Sequence, residues 1–229
     1  NIGVYQTLAR GGVICFAAKW TDRKAVEFRS DWGDGHAAMI ERAHELLDGA
    51  DAVVHYNGQS FDEKHLNREF ALSGMAPPAP YQRIDLVQTA RRRFRFTSNK
   101  LDNLLTEFGL TRKVDTGGFS LWREALNYLG EYDEATVERA RRLFRRYNVQ
   151  DVRVTDELRQ RLGPWIVQPP HPGLYTEGAE AIKHICQACG STALTRRGFA
   201  YTQLGRYVKY QCKSCGAYSR DKRADATAG

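Results

Sequence analysis

Ten residues, Val53-Val54-His55-Tyr56-Asn57-Gly58-Gln59-Ser60-Phe61-Asp62, do most to limit the folds open to this chain. An apolar strand empties into an Asn-Gly turn and presents Asp62 at the start of a helix. The flanking pattern extends that unit into an α/β sheet. Val13 to Trp20 is apolar enough for a buried strand, and Lys24 to Arg29 alternates like its antiparallel partner across a Thr21-Asp22-Arg23 turn. Helical spacing follows over His36 to Leu47, a strand over Ala52 to Tyr56, and a helix over Asp62 to Ser73. Gly74 to Pro80 is a stiff loop. A short strand over Arg83 to Val87 then hands over to a helix capped by Asp85. Ser98 is placed to cap a helix through Phe108, and a long helical region from Asp133 to about Leu162 carries a candidate break near Asn148. A hairpin followed by strands alternating with helices predicts a mixed sheet with helices on its faces.

Composition narrows the class. At 229 residues, 42% apolar and 27% charged, the chain has the balance of a globular protein, and no apolar run reaches the length of a membrane span. No signal peptide is visible, so a cytoplasmic setting is expected. The net charge of +7 favours polyanionic partners, nucleic acid first among them; charge does not separate DNA from RNA, and DNA is the partner expected.

Four of the five cysteines form two Cys-x-x-Cys pairs, Cys186 with Cys189 and Cys212 with Cys215, each followed by a glycine that permits a tight knuckle. The spacing predicts a four-cysteine zinc ribbon, with strands over Ala193 to Arg197 and Tyr207 to Gln211. Four thiolates close a tetrahedral site, so the zinc is expected to hold the module together and to do no chemistry. Its basic and aromatic residues suit either a nucleic-acid backbone or a protein partner, such as one in replication or repair.

Two carboxylates stand out elsewhere. Asp62 lies at the C-terminal end of a strand, and Asp151 follows Tyr147 by four residues, which puts both on one helix face. Two-metal phosphodiester hydrolysis needs several carboxylates converging on one spot. Here Asn57-Gly58-x-x-Phe61-Asp62 resembles the second motif of the Asp-Glu-Asp-Asp 3'-5' exonucleases of the ribonuclease H-like superfamily, and Tyr147-x-x-x-Asp151 resembles the third motif of their tyrosine subtype. Ser98-Asn99-Lys100-Leu101-Asp102, Asp115-Thr116-Gly117-Gly118, Leu121-Trp122 and Pro164-Trp165 are similar to phage and bacterial members. The resemblance covers most of Ile14 to Trp165. It implies Asp62 and Asp151 as ligands of Mg2+ or Mn2+, Tyr147 as the residue that positions water, and Asn57 as a shaper of the turn or a nucleotide contact. The family's first motif, Asp-x-Glu on the opening strand, occurs nowhere in the chain. That strand is therefore expected upstream of Asn1, and the chain as it stands is expected to be inactive. A non-catalytic nucleic-acid-binding protein on the same fold is the alternative.

Arg91, Arg92, Arg93, Phe94, Arg95 and Lys100 set cations beside aromatic rings and are candidate nucleic-acid contacts. A second arginine cluster, from Arg139 to Arg146, is balanced by Glu131, Glu134 and Glu138 and is expected to be mostly a solvated helix face. His55 and His65 are expected to be structural. The predicted organisation is an exonuclease-like domain over 1–165, a Pro/Gly-rich linker over 166–181, the zinc ribbon over 182–220 and a polar, disordered tail over 221–229.

Overall fold

The structure, a computed structural model, describes residues 12–116, 118, 120–166, 185–203 and 205–221. The expected linker beyond Ile166, the tail beyond Asp221, and Gly117 of the Asp-Thr-Gly-Gly stretch lie outside the described residues. The chain divides into two compact units, one formed by residues 1–85 and 98–158, the other by 86–97 and 159–229.

In the first unit, strands β1 (Cys15–Ala18) and β2 (Glu27–Ser30) form the expected antiparallel hairpin, with Cys15 opposite Ser30 and Ala18 opposite Glu27. A short helix α1 (Asp31–Asp34) leads into α2 (His36–Asp48). Strand β3 (Ala52–His55), helix α3 (Asp62–Leu72) and strand β4 (Gln82–Asp85) form a parallel crossover that sets His55 opposite Asp85. The α/β class is borne out, and pairings of both senses are present. Among the described residues the two ladders are not hydrogen bonded to each other.

Both sides of β1 carry apolar packing, which is why its run is continuous rather than alternating. Ile14 and Cys15 pack with Leu121 and Ala125 of α6 (Ser120–Leu126) and with Ala140 and Phe144 of α7 (Glu134–Leu162). Val13 and Phe16 pack with Met39, Ile40 and Ala43 of α2 and Phe70 of α3. Trp32 and Trp122 both meet Phe144 edge-on, at 6.1 and 4.7 Å. At the strand's end, Lys19 Nζ donates to Asp156 Oδ2 of α7 at 2.6 Å.

Helix α7 is continuous through Asn148, contrary to the expected break. The Asn148 amide donates to the Phe144 carbonyl one turn back, at 3.0 Å, and points its other contact at the Cys15 sulfur. Its side chain thus reinforces the helix that a free asparagine would destabilise. At the start of α7, Asp133 caps as expected, accepting from the Thr136 N–H at 2.7 Å. Ser98 does not cap α5 (Leu101–Glu107). Lys100 holds that position in extended geometry, and the Ser98 hydroxyl instead accepts the Lys100 N–H at 3.3 Å.

On the hairpin, Glu27 accepts from Arg42 Nε and Nη2 at 2.9 and 3.0 Å and from Arg29 Nε at 3.0 Å. The Arg42 contact, helped by Arg29, holds the Glu27 carboxyl below the usual carboxylate range. A depressed folded pKa contributes stability above the unfolded pKa and loses it as pH falls through the folded value. The difference in melting temperature between the native chain and Glu27→Gln is therefore expected in full at neutral pH and should shrink progressively as pH falls below about 4.5. A difference that grows on acidification would overturn this account.

In the second unit, helix α4 (Leu86–Arg93) buries Leu86, Val87, Thr89 and Ala90 and ends in three arginines. Strands β5 (Leu194–Thr202), β6 (Gly205–Cys212) and β7 (Tyr218–Arg220) form an antiparallel sheet beside the cysteines, longer than expected and with β7 added.

Candidate functional site

The Asn-Gly turn is built around a histidine. Asn57 adopts the left-handed conformation, with φ 64° and ψ 14°, and its N–H donates to Asp85 Oδ1 at 2.8 Å. Its side-chain oxygen accepts from the Ser60 hydroxyl at 2.8 Å, so this group is spent on shaping the turn. The Gly58 N–H donates to His55 Nδ1 at 3.0 Å. No larger residue fits at position 58, because an added Cβ would lie 2.7 Å from His55 Cγ. We expect Gly58→Ala to cost about 1–3 kcal/mol of stability, the usual penalty of overpacking, read by denaturant titration. An unchanged midpoint would contradict the crowding.

His55 also bridges two acids. Its Nδ1 lies 3.5 Å from Asp85 Oδ2, and its Nε2 lies 3.3 Å from Glu63 Oε1. Arg83 Nε holds the other Glu63 oxygen at 2.6 Å. The His55, Glu63 and Asp85 side chains are almost wholly buried and fix the strand-to-helix corner from which Asp62 projects, while Arg83 reaches them from the exposed side. Asp85 thus serves the turn with its carboxylate. Sequence reading set His55 and Asp85 aside and passed over Glu63; their only signal was the strand-end register that places His55 opposite Asp85.

Asp62 is the first residue of α3, and Phe61 occupies the cap position with its ring 61% exposed. Burial raises the Asp62 pKa. His55 and His65 work against that shift, while the negative charges of Asp85 and Asp151 add to it. The charge of Asp151 thus acts on Asp62, although burial is the larger cause of its shift.

On α7, Tyr147 and Asp151 meet a third group, Lys113, which sequence reading missed. Lys113 Nζ lies 3.0 Å from Asp151 Oδ2 and donates to the Tyr147 hydroxyl at 3.2 Å. Burial opposes the charge on Lys113, but its bonds to Asp151 and Tyr147 leave its pKa above the ordinary lysine value. Burial and the Asp151 charge raise the Tyr147 pKa, so the phenol stays protonated at neutral pH. Tyr147 can therefore orient a water by hydrogen bonding. A lone lysine in a loop has no periodicity to betray it; only its place just ahead of Asp115-Thr116 pointed here.

These residues were tested as a divalent-cation site. Asp151 Oδ1 is buried without a hydrogen-bond partner, as a ligand atom awaiting a cation would be. Yet the one group of three or more His, Cys, Asp or Glu donors gathered within 4.8 Å, among the described residues, is the four cysteines. Among the described residues, Asp62 and Asp151 do not form such a group with a third donor.

The candidate nucleic-acid contacts divide between the units. Arg91, Arg92, Arg93 and Arg95 are exposed in the second, where Phe94 packs edge-on against Trp165 at 5.2 Å. Lys100 and Asn57 belong to the first.

The cysteines converge as their spacing predicts. Their sulfurs all lie within 4.8 Å of one another, with Cys186 and Cys215 at 3.5 Å and Cys189 and Cys212 at 3.7 Å. Four sulfurs at about 2.3 Å from a tetrahedral ion would sit about 3.8 Å apart, so the donor set fits zinc. The two knuckles repeat one geometry. The Gly190 and Gly216 N–H groups return to the Cys186 and Cys212 carbonyls at 2.9 and 3.0 Å, and both glycines have positive φ, 74° and 78°. Burial opposes ionisation of Cys212, but the Cys215 and Ser214 N–H groups, with the neighbouring thiols, bring its pKa down to about 6.

No helix among the described residues is long and apolar enough to cross a membrane. No curated protein and no solved structure matches the chain. A family model described as the RNase_H superfamily matches residues 6–163, the span that holds the hairpin, the Asn57 turn, Asp62, Tyr147 and Asp151. With more than half its length matched by that model, and a carboxylate pair set at a strand-to-helix corner and on a late helix, the chain belongs to the RNase_H superfamily.

Proposed function

We propose that residues 1–165 are the fold of a metal-dependent 3'-5' exonuclease acting on nucleic acid. Asp62 and Asp151 hold divalent cations, Mg2+ or Mn2+, and Tyr147 orients the attacking water. The observation that carries this reading is Asp151, which has one buried oxygen without a partner and the other on an ammonium, beside a phenol that stays protonated. Bound cations would polarise the scissile phosphate and favour deprotonation of the water. The protein's own share is to aim the water through the Tyr147 hydroxyl and to keep Asp62 at the corner set by His55 and Asp85.

Two-metal hydrolysis draws on further carboxylates besides Asp62 and Asp151, and the family's Asp-x-Glu strand would supply them. The test extends the chain at its N-terminus with an apolar strand carrying Asp-x-Glu and follows release of nucleotides from labelled 3' ends. We expect release that needs Mg2+ or Mn2+ and stops in Asp151→Asn. Cleavage that survives that substitution would sink the assignment. Absence of cleavage in the extended protein, with salt-dependent binding retained, would select the non-catalytic reading instead.

A further inference from the structure

The cysteine module has an unusual balance of charge. Between residues 185 and 220 its charged side chains are Arg196, Arg197, Arg206, Lys209, Lys213 and Arg220, and it contains no Asp or Glu. Four thiolates on a divalent ion carry a net charge of −2, which offsets only part of these six cations.

These cations are ordered against rings. Register pairs β5 with β6 so that Phe199 faces Val208, Tyr201 faces Arg206 and Arg196 faces Tyr210, which puts all six side chains on one side of the sheet. On that side the Arg196 and Arg206 guanidiniums lie 5.1 and 4.3 Å from the Phe199 ring centroid. Tyr201 stands at the end of the row, 74% exposed. The result is a ladder of guanidinium, ring, guanidinium, ring. The slip in register between Arg196 and Phe199 accommodates Gly198 at φ 74° and brings Arg196 into reach of the ring.

We infer that this face of the sheet binds single-stranded nucleic acid, with phosphates on Arg196 and Arg206 and an unpaired base stacked on Tyr201. A guanidinium held over a ring still presents N–H donors at its rim, and an exposed tyrosine offers a π-face that any base can use. An acidic peptide would satisfy the cations but would leave the exposed ring without a role. A duplex hides its bases and likewise leaves Tyr201 unused. The inference does not depend on hydrolysis at Asp62 and Asp151.

The test uses the full chain loaded with zinc and measures fluorescence anisotropy with a labelled oligothymidylate, an oligouridylate, the matching duplex and a polyglutamate peptide. Tyr201→Ala should weaken single-strand binding about tenfold, the loss expected of one stacked base, and leave duplex binding unchanged. The double substitution Arg196→Gln with Arg206→Gln should lower the steepness of the logarithmic salt dependence by about 0.7 per guanidinium. Retained zinc in each variant certifies that the module is folded. Single-strand affinity unchanged in both variants would overturn the inference, as would polyglutamate bound as tightly as the oligonucleotides. Asp151→Asn serves as the control, because it removes the proposed hydrolytic ligand and should leave the Tyr201 effect intact.

Discussion

Cys212→Ser should unfold residues 185–220 while the first unit melts as before. The module has little apolar interior, its buried cluster being Cys186, Cys212 and Ala217. Two of those three residues are cysteines in the proposed ligand set, so packing and metal binding are one interaction here. Structural zinc in small modules supplies about 10–16 kcal/mol of apparent binding free energy at neutral pH, far more than so small an interior can replace. Cys212 also joins the two halves of the module, since its N–H donates to the Ala217 carbonyl and its residue pairs with Leu194 across the sheet. Serine keeps the shape but is a poor ligand, and the other three thiolates then hold the ion weakly. Bound zinc should fall from about one equivalent towards none, and trypsin should cut rapidly after Arg196 and Arg206. A metal-free variant that resists trypsin would show that the sheet stands without zinc.

The second large effect is expected at Lys113. Its ammonium sits 3.0 Å from Asp151 Oδ2 and satisfies the charge that a divalent cation would otherwise take. An entering ion must displace it or share the carboxylate. Lys113→Met removes the competing charge while keeping the length of the stem, so Mn2+ should bind about tenfold tighter. That figure is well below the full Coulomb energy at such a distance, because both side chains are about a quarter exposed and partly screened by water. Electron paramagnetic resonance of free Mn2+ reads the change without any need for activity. Asp151→Asn should abolish the binding, and the double variant should behave like Asp151→Asn alone. Weaker Mn2+ binding in Lys113→Met would show that the lysine supports the ion instead of excluding it.

How much of this was legible in the chain varies by element. The hairpin, the crossover and the knuckles depend on interactions close in sequence: a Trp20 to Arg23 turn, an Asn-Gly corner, and glycines just after each cysteine pair. Local patterns report such features well. Asn148 was misleading because its helix-breaking tendency is cancelled by a bond to Phe144 and a contact with Cys15, 133 residues away in sequence. Helix α6 was not read because its seven residues pack Leu121 and Ala125 against β1 and α7, and that tertiary contact outweighs weak local preference. At the site, Asp62, Tyr147 and Asp151 were legible as spaced motifs. Lys113 and Glu63 were not assigned, His55 was read as structural and Asp85 as a helix cap, since which carboxylate or turn each touches is set by contacts that local sequence barely records.

The five thiols described above form two chemical populations. Burial pushes Cys15 up to about 12, so at neutral pH it is a protonated, inert core group. In the ribbon four sulfurs lie within 4.8 Å of one another, and there the backbone N–H groups lower the pKa of Cys212 while burial raises those of Cys186 and Cys215. An oxidant meeting the metal-free protein would find neighbouring thiols within reach of one another in the ribbon, whereas Cys15 is packed among apolar side chains. The Cys186 and Cys215 sulfurs, 3.5 Å apart, are close enough to join as a disulfide with release of two protons and two electrons to the oxidant. Such a bond would remove two of the four ligands and bar the ion's return, making metal loss under oxidising conditions a one-way event until a reductant restores the thiols.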